Sequence, residues 1–246
     1  MTVMRTLVLG TLFVLATLLY AAEPVTVFAA ASLSDVLPEV AAAWRAHGGG
    51  EVRFSFAATS KLVPQIIEGA PADVLVSADE AWMDKLRDAG RAAEGSRAAL
   101  ARNSLVFVVP ANAAAAPASA SDLPGRLKRI TLAGENVPAG RYARAALTEA
   151  GVWEAVEPRV VRGEDVRLTL KWVAGGDADG GIVYRTDAQA ETRVKIAFEF
   201  PADSHPPIVY PATVVKGSAH AAEAARFLEF CRSEKGRSIF LKHGFS

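Results

Sequence analysis

The strongest constraint on the fold of this chain is a rapid alternation of short β-rich runs with helical stretches, sustained from Val25 almost to the C-terminus. Val25–Ala30 reads as a strand, Ser34–His47 as a helix with Trp44 on its apolar side, and Gly48-Gly49-Gly50 as its stop. Glu51–Ala57 is the next strand, Lys61–Glu68 a helix ending at Gly69, Val74–Ser77 a buried strand and Glu80–Ala89 a helix stopped by Gly90. Leu105–Pro110 is a strand closed by its proline, and the Ala/Ser/Pro stretch Ala111–Ser121 reads as a surface connection. Strands at Arg129–Ala133, Pro158–Arg162, Gly181–Tyr184, Val194–Phe200 and Ile208–Val215 follow, with helices at Pro138–Ala150 and Val166–Ala174 between them. Ala219–Phe230 and Glu234–His243 close the chain as amphipathic helices. Such alternation predicts an α/β protein with mostly parallel sheets covered by helices, and in these sheets ligands bind beyond the carboxyl ends of the strands.

Charge narrows the partners. Lys+Arg and Asp+Glu both number 27, so no basic excess exists to hold nucleic acid or an anionic membrane. An anion would have to be bound by local geometry. The N-terminus reads as an export signal: Arg5 precedes an apolar run from Leu7 to Leu19, shorter than the ~20 residues of a spanning helix. Cleavage near Ala21 or Ala22 removes residues 1–22, including Arg5, and leaves the mature chain near a net charge of −1. Cys231 is the only cysteine, so no internal disulfide forms, and with no cysteine at the cleavage site no lipid anchor is expected there. Cys231 lies among Phe227, Leu228 and Phe230 and reads as a buried thiol.

The informative segments are four strand-to-helix junctions. They are Phe28–Leu33 (FAAASL), Phe56–Leu62 (FAATSKL), Glu135–Ala143 (ENVPAGRYA) and Gly163–Leu170 (GEDVRLTL). Ser32, and Thr59 with Ser60, place hydroxyls beside helix starts; Asn136 and Asp165 can cap; Ala139-Gly140 leave first-turn amides uncovered. Helix capping accounts for any one junction. As a set they share a chemistry, since helix starts offer free N–H groups and a partial positive charge, which suits a compact oxyanion that only accepts.

The chain also resembles the periplasmic molybdate-binding proteins of ABC transporters (the ModA type). Besides FAAASL, the resemblance is carried by GAPADVLVSAD (Gly69–Asp79), NSLVFVVP (Asn103–Pro110), VPAG (Val137–Gly140), GEDVR (Gly163–Arg167), GIVY (Gly181–Tyr184) and YPATVV (Tyr210–Val215). It implies a type II periplasmic-binding-protein fold of two lobes joined by two crossovers. Lobe I is expected over 23–104 and 212–246, lobe II over 105–211, and the ligand in the cleft between them. The implied ligand set is the hydroxyls of Ser32 and Thr59, the amides of Ala139 and Val166, and the phenol of Tyr184. Molybdenum or tungsten would be held only as the oxyanion, with no direct protein–metal ligand and no cofactor. The implied partner is a membrane ABC permease, fed by a periplasmic, monomeric binding protein.

Other readings compete at specific residues. Ser60 could replace Thr59, and Tyr184 could be a core aromatic. His47, His205, His220 and His243 lack metal-ligand spacing, and Asp73 and Asp79 read as capping acids. Asp165 is expected to cap its helix while facing away from an anion. Sulfate or phosphate is the alternative ligand. An exported hydrolase using Ser32 or Thr59 would need a partner base and has no G-x-S-x-G elbow; a one-piece sensor would need an output domain.

Overall fold

The computed structural model describes residues 23–246; the export signal expected over 1–22 lies outside the described residues. Two five-stranded sheets form, each flanked by helices. The first half of the chain runs β1 (Val25–Ala30), α1 (Val36–Ala46), β2 (Val52–Ala57), α2 (Thr59–Ile67), β3 (Val74–Val76), α3 (Glu80–Asp88) and β4 (Ala98–Asn103). Then come β5 (Leu105–Pro110), α4 (Leu123–Arg126), β6 (Ile130–Ala133), α5 (Pro138–Glu149), α6 (Trp153–Val156), β7 (Val160–Gly163) and α7 (Val166–Gly175). The chain ends with β8 (Gly180–Tyr184), α8 (Arg185–Gln189), β9 (Val194–Glu199), β10 (Ile208–Val214), α9 (Ala221–Arg232) and α10 (Glu234–Lys242).

Sheet order is β2-β1-β3-β10-β4 in lobe I and β7-β6-β8-β5-β9 in lobe II. β1 pairs in parallel with β2 and β3, while β10 runs antiparallel to β3 and β4. In the other sheet β6 pairs in parallel with β7 and β8, and β5 runs antiparallel to β8 and β9. One strand in each sheet thus opposes the other four, and it is the strand by which the chain enters that lobe. This is the mostly parallel two-lobed α/β architecture expected from the sequence, with crossings at β4–β5 and β9–β10.

One lobe boundary and one strand differ from the sequence reading. Residues 208–211 are expected in lobe II, but β10 is laddered to β4 from its first residue, Ile208 opposite Asn103, so the return crossing precedes it. β4 itself is not anticipated, because Ala98, Ala99 and Ala101 carry little β-branched signal; it is held by β10 and by the C-terminus, where Arg102 and Ser246 exchange backbone hydrogen bonds of 2.6 and 3.1 Å.

The central parallel strands β1, β3, β6 and β8 are buried on both faces, as their near-continuous apolar sequences require, while the edge strands β2 and β7 are only partly covered. In lobe I, Trp44 of α1 meets the rings of Phe227 and Phe230 on α9, beside the fully buried Cys231, whose thiol burial pushes up to about 12. In lobe II, α5 starts hard against the end of β6: a Cβ at Gly140 would lie 2.2 Å from the Gly134 carbonyl oxygen. Glycine there lets a helix start approach the sheet's carboxyl edge closely.

Candidate functional site

Four junctions meet where the carboxyl edges of the two sheets face each other. Ala30, Ala31, Ser32, Ala58, Thr59 and Ala78 of lobe I, with Val137, Pro138, Ala139, Asp165, Val166 and Tyr184 of lobe II, line one small cavity with a volume of about 10 Å³. That is far below the ~300–1,000 Å³ of sites for drug-sized ligands and leaves room for no more than a compact ion. All five residues expected to contact ligand are brought together here: Ser32, Thr59, Ala139, Val166 and Tyr184. No lysine or arginine is among the lining residues.

Three of the four junctions begin their helix without a capping side chain. The N-cap residues are Ala30 for the helical turn Ala31–Leu33, Ala58 for α2 and Val137 for α5, and none supplies a side-chain cap. All three have the extended backbone of an N-cap (ψ of 139°, 135° and 136°) without an oxygen to accept the first amides. Serine or aspartate in their place would bind a first-turn N–H worth typically ~1 kcal/mol. First-turn amides have no acceptor inside their own helix, and here they are left for whatever occupies the cavity. The expectation that Asn136 caps α5 is corrected: Val137 takes the N-cap position ahead of Pro138, and the Asn136 carbonyl accepts the indole N–H of Trp82 at 2.9 Å.

α7 is the exception. Asp165 caps it as expected, accepting from the Leu168 N–H at 2.8 Å, so its carboxylate is engaged along the helix while the amide of Val166 remains at the wall.

The hydroxyls are oriented by their neighbours. Thr59 is buried and its Oγ1 accepts from the Ala78 N–H at 3.1 Å, which leaves its own proton to be donated. Ser60 does not line the cavity, so of the two adjacent hydroxyls Thr59 is the one at the wall. The Ser32 Oγ lies 3.0 Å from the Tyr210 hydroxyl. Tyr184 is buried and its hydroxyl has no hydrogen-bond partner among the described residues. Burial raises its pKa well above the ordinary phenol value, so the group stays a neutral donor. A buried phenol without an acceptor is costly, and it points to an acceptor supplied from outside the chain.

The rim carries contacts that cross between lobes. Lys61 pairs with Glu164 at 2.6 Å, and Arg141 with the buried Asp79 at 3.1 Å. From α7, Arg167 reaches Asp35 at 2.7 Å and donates to the Ser32 carbonyl at 3.2 Å, while its Nε lies 2.7 Å from the fully buried Asp187. Burial raises the Asp187 pKa to about 6 even though the Arg167 charge opposes the rise. Asp79 caps α3 through the Trp82 N–H, and Asp73 accepts from the Thr26 N–H and Ser218 Oγ, so both are structural acceptors. Ser32 and Thr59 are hydrogen-bonded to Tyr210 and to the Ala78 amide, and neither has a histidine partner among the described residues.

A family model described as bacterial extracellular solute-binding protein matches residues 25–246. The chain belongs to this family. Among similar proteins, the molybdate-binding protein ModA of Haemophilus influenzae is 40% identical over 232 residues, covering 92% of this chain and 91% of that protein. A putative ABC transporter substrate-binding lipoprotein, YvgL of Bacillus subtilis, is 37% identical over 222 residues, covering 90% of this chain and 85% of its own. The structure of the periplasmic molybdate-binding protein of Azotobacter vinelandii superposes with a TM-score of 0.82 at 27% identity, over 90% of this chain and 98% of that one. The resemblance to the ModA type read from the motifs is thereby borne out.

Within this solute-binding protein, several residues at the site are not singled out by sequence: Tyr210, Asn103, Arg167, Trp82 and Asp187. Each acts through a partner far away in the chain, such as Ser32 with Tyr210 across 178 positions, and no local spacing encodes such a pair. The YPATVV run does contain Tyr210, and its burial could be read there, but not its partner.

Proposed function

We propose that this protein captures molybdate, and equally tungstate, in the inter-lobe cleft and delivers it to an ABC permease in the membrane. The observation that carries the reading is the convergence of uncapped helix starts and the partnerless Tyr184 hydroxyl on one small cavity without a lining cation. Ser32, Thr59 and Tyr184 donate O–H groups and Ala139 and Val166 donate N–H groups, from both lobes. Burying a dianion without a counter-charge demands that its oxygens be hydrogen-bonded, and helix starts add favourable dipoles. Neutral donors also keep the ion releasable. The relatives named for molybdate binding and for ABC transport support the choice of ion and of partner.

Delivery implies an exported, monomeric protein whose closed form the permease reads, and no chemistry is performed on the ligand. Selectivity against sulfate follows from cavity size, and the near-equal sizes of molybdate and tungstate predict little separation between them. Calorimetric titration of the mature chain with molybdate, tungstate, sulfate and phosphate tests the proposal. Tight binding of the first two and weak binding of the others is expected. Sulfate bound as tightly as molybdate would sink the assignment of the ion, and binding of none would sink the class.

A further inference from the structure

Ser32 is the head of a buried hydrogen-bond chain whose direction can be worked out link by link. The Ser104 N–H donates to Asn103 Oδ1 at 2.9 Å. That contact fixes the amide, because the flipped orientation would press the NH₂ group against another donor. Asn103 Nδ2 therefore faces Thr186 Oγ1 at 2.9 Å and the Tyr210 hydroxyl at 3.3 Å, and it donates to both. Tyr210 is fully buried, so its phenolic proton needs a protein acceptor, and Ser32 Oγ at 3.0 Å is the one within reach. Were Ser32 instead to donate to Tyr210, the phenol and the Asn103 amide would be two donors facing each other. Burial pushes the Tyr210 pKa up, with the Asp187 charge adding to it, so the phenol keeps its proton.

We infer that Asn103 and Tyr210 are positioning residues of the oxyanion site, which together make Ser32 accept from behind and present its own proton to the cavity. The inference rests on the reading of that cavity as an oxyanion site. A fully deprotonated oxyanion accepts at every oxygen and matches a donor whose direction is preset. Without the chain, the Ser32 hydroxyl would be free to turn toward other acceptors.

The chain is mounted on both crossings between the lobes. Asn103 ends β4, one residue before β5 begins. Tyr210 lies on β10 where the pairing with β4 slips: Tyr210 faces Ala101 and Pro211 faces Ala99, leaving Leu100 between. Such a bulge re-aims side chains, and here it accompanies the turn of Tyr210 toward Ser32. The second amide proton of Asn103 reaches Thr186 in lobe II, tying the donor direction to the arrangement of the lobes.

A double-mutant cycle separates this role from mere packing. Molybdate affinity is measured by calorimetry for the unmodified mature chain, Ser32→Ala, Tyr210→Phe and the double variant. Tyr210→Phe is expected to weaken binding about 3- to 10-fold, the range of one hydrogen bond. In the Ser32→Ala background the same change is expected to cost less than about twofold, because its effect runs through Ser32. Equal losses in both backgrounds, or no loss from Tyr210→Phe alone, would overturn the inference. Should Tyr210→Phe not fold, Asn103→Asp replaces it: a carboxylate accepts a hydrogen bond from the Tyr210 hydroxyl, whose oxygen then accepts from Ser32. Its loss should then be at least about threefold larger with Ser32 present than in the Ser32→Ala background, the part common to both being the added charge; equal losses again overturn it. An unmodified chain that binds no molybdate would sink the site reading itself, and the inference with it.

Discussion

Removing one oxygen, in Tyr184→Phe, should move stability and affinity in opposite senses. The ring is buried and packs edge-on against Tyr142 and Tyr210, with centroids 6.5 and 6.0 Å away, so phenylalanine keeps the packing and opens no cavity. The hydroxyl has no protein partner among the described residues, and a buried group in that condition costs ~1–3 kcal/mol. The ligand-free protein should therefore lose no stability and can gain some. Binding should suffer, because a hydrogen bond to a charged group is worth about 1.5–3 kcal/mol, or roughly 13- to 160-fold in Kd. At a molybdate concentration of about 100 times the unmodified Kd, the ligand stabilises the native chain by about 2.7 kcal/mol; the variant at the same concentration should retain about 0.3–1.3 kcal/mol. Denaturant unfolding with and without molybdate reads both quantities on one sample, and calorimetry gives Kd independently. A variant that loses more than about 1 kcal/mol of ligand-free stability while its affinity is unchanged would show that Tyr184 is a core aromatic and nothing more.

Four further substitutions, at three positions, test the site and its surroundings. Thr59→Ser keeps the oxygen that accepts from Ala78 and should leave molybdate affinity within about threefold, whereas Thr59→Val removes a donor and strands that amide, costing at least about 1.5 kcal/mol of affinity by calorimetry. Asp165→Asn should leave affinity nearly unchanged, since the carboxylate is spent on the Leu168 N–H; a large gain in titration would mean that its charge faces the ion. Asp187 titrates in the folded chain at about 6, above its ordinary 3.8, so between these values the folded form holds a proton that the unfolded form has released. Its contribution to stability is accordingly full below about pH 4 and is lost as pH rises through about 6. The difference in unfolding free energy between the unmodified chain and Asp187→Asn, measured from pH 4 to 7, should therefore shift against the unmodified chain as pH rises, and a flat difference would refute the assignment.

What can be read from the sequence is what is written locally. A strand followed by small residues, a hydroxyl and a helix start occupies six or seven consecutive positions, so FAAASL and FAATSKL can be placed at a sheet's carboxyl edge before any fold is known. Tyr184 has two readings, ring or donor, and the sequence alone cannot say whether the hydroxyl finds a partner. The choice between Thr59 and Ser60 is equally closed to pattern, because it turns on the Ala78 amide in the junction after β3. Asn136 shows the opposite failure: it is a good capping residue one position too early, and Pro138 fixes the helix start so that Val137 takes the place. Strand β4 escapes the pattern because pairing with β10 and Ser246 makes it a strand, against the low β-propensity of its alanines.

The same features explain why closure and binding should be linked. Contacts across the lobes hold the two together, but they are modest: Lys61–Glu164 is exposed, and such pairs are worth ~0–1 kcal/mol. Arg167 is stronger, being half-buried, set beside Asp187 within its own lobe and joined across the cleft to Asp35 and to the Ser32 carbonyl. Against these stand three helix starts without capping side chains and a phenol without a partner among the described residues, all at the wall of the cavity between the lobes. In the open form water can satisfy these donors; in the closed form only an acceptor in the cavity can. A ligand shifts a two-state equilibrium only by its differential affinity for the two states. On the proposed ligand set the differential has a structural source, because Ser32 and Thr59 belong to one lobe and Ala139, Val166 and Tyr184 to the other. An ion held by either lobe alone would leave half of its oxygens to water. Alanine, alanine and valine at these three N-caps leave no side-chain competitor for those amides, and on the proposed function closure then depends on what the cleft contains.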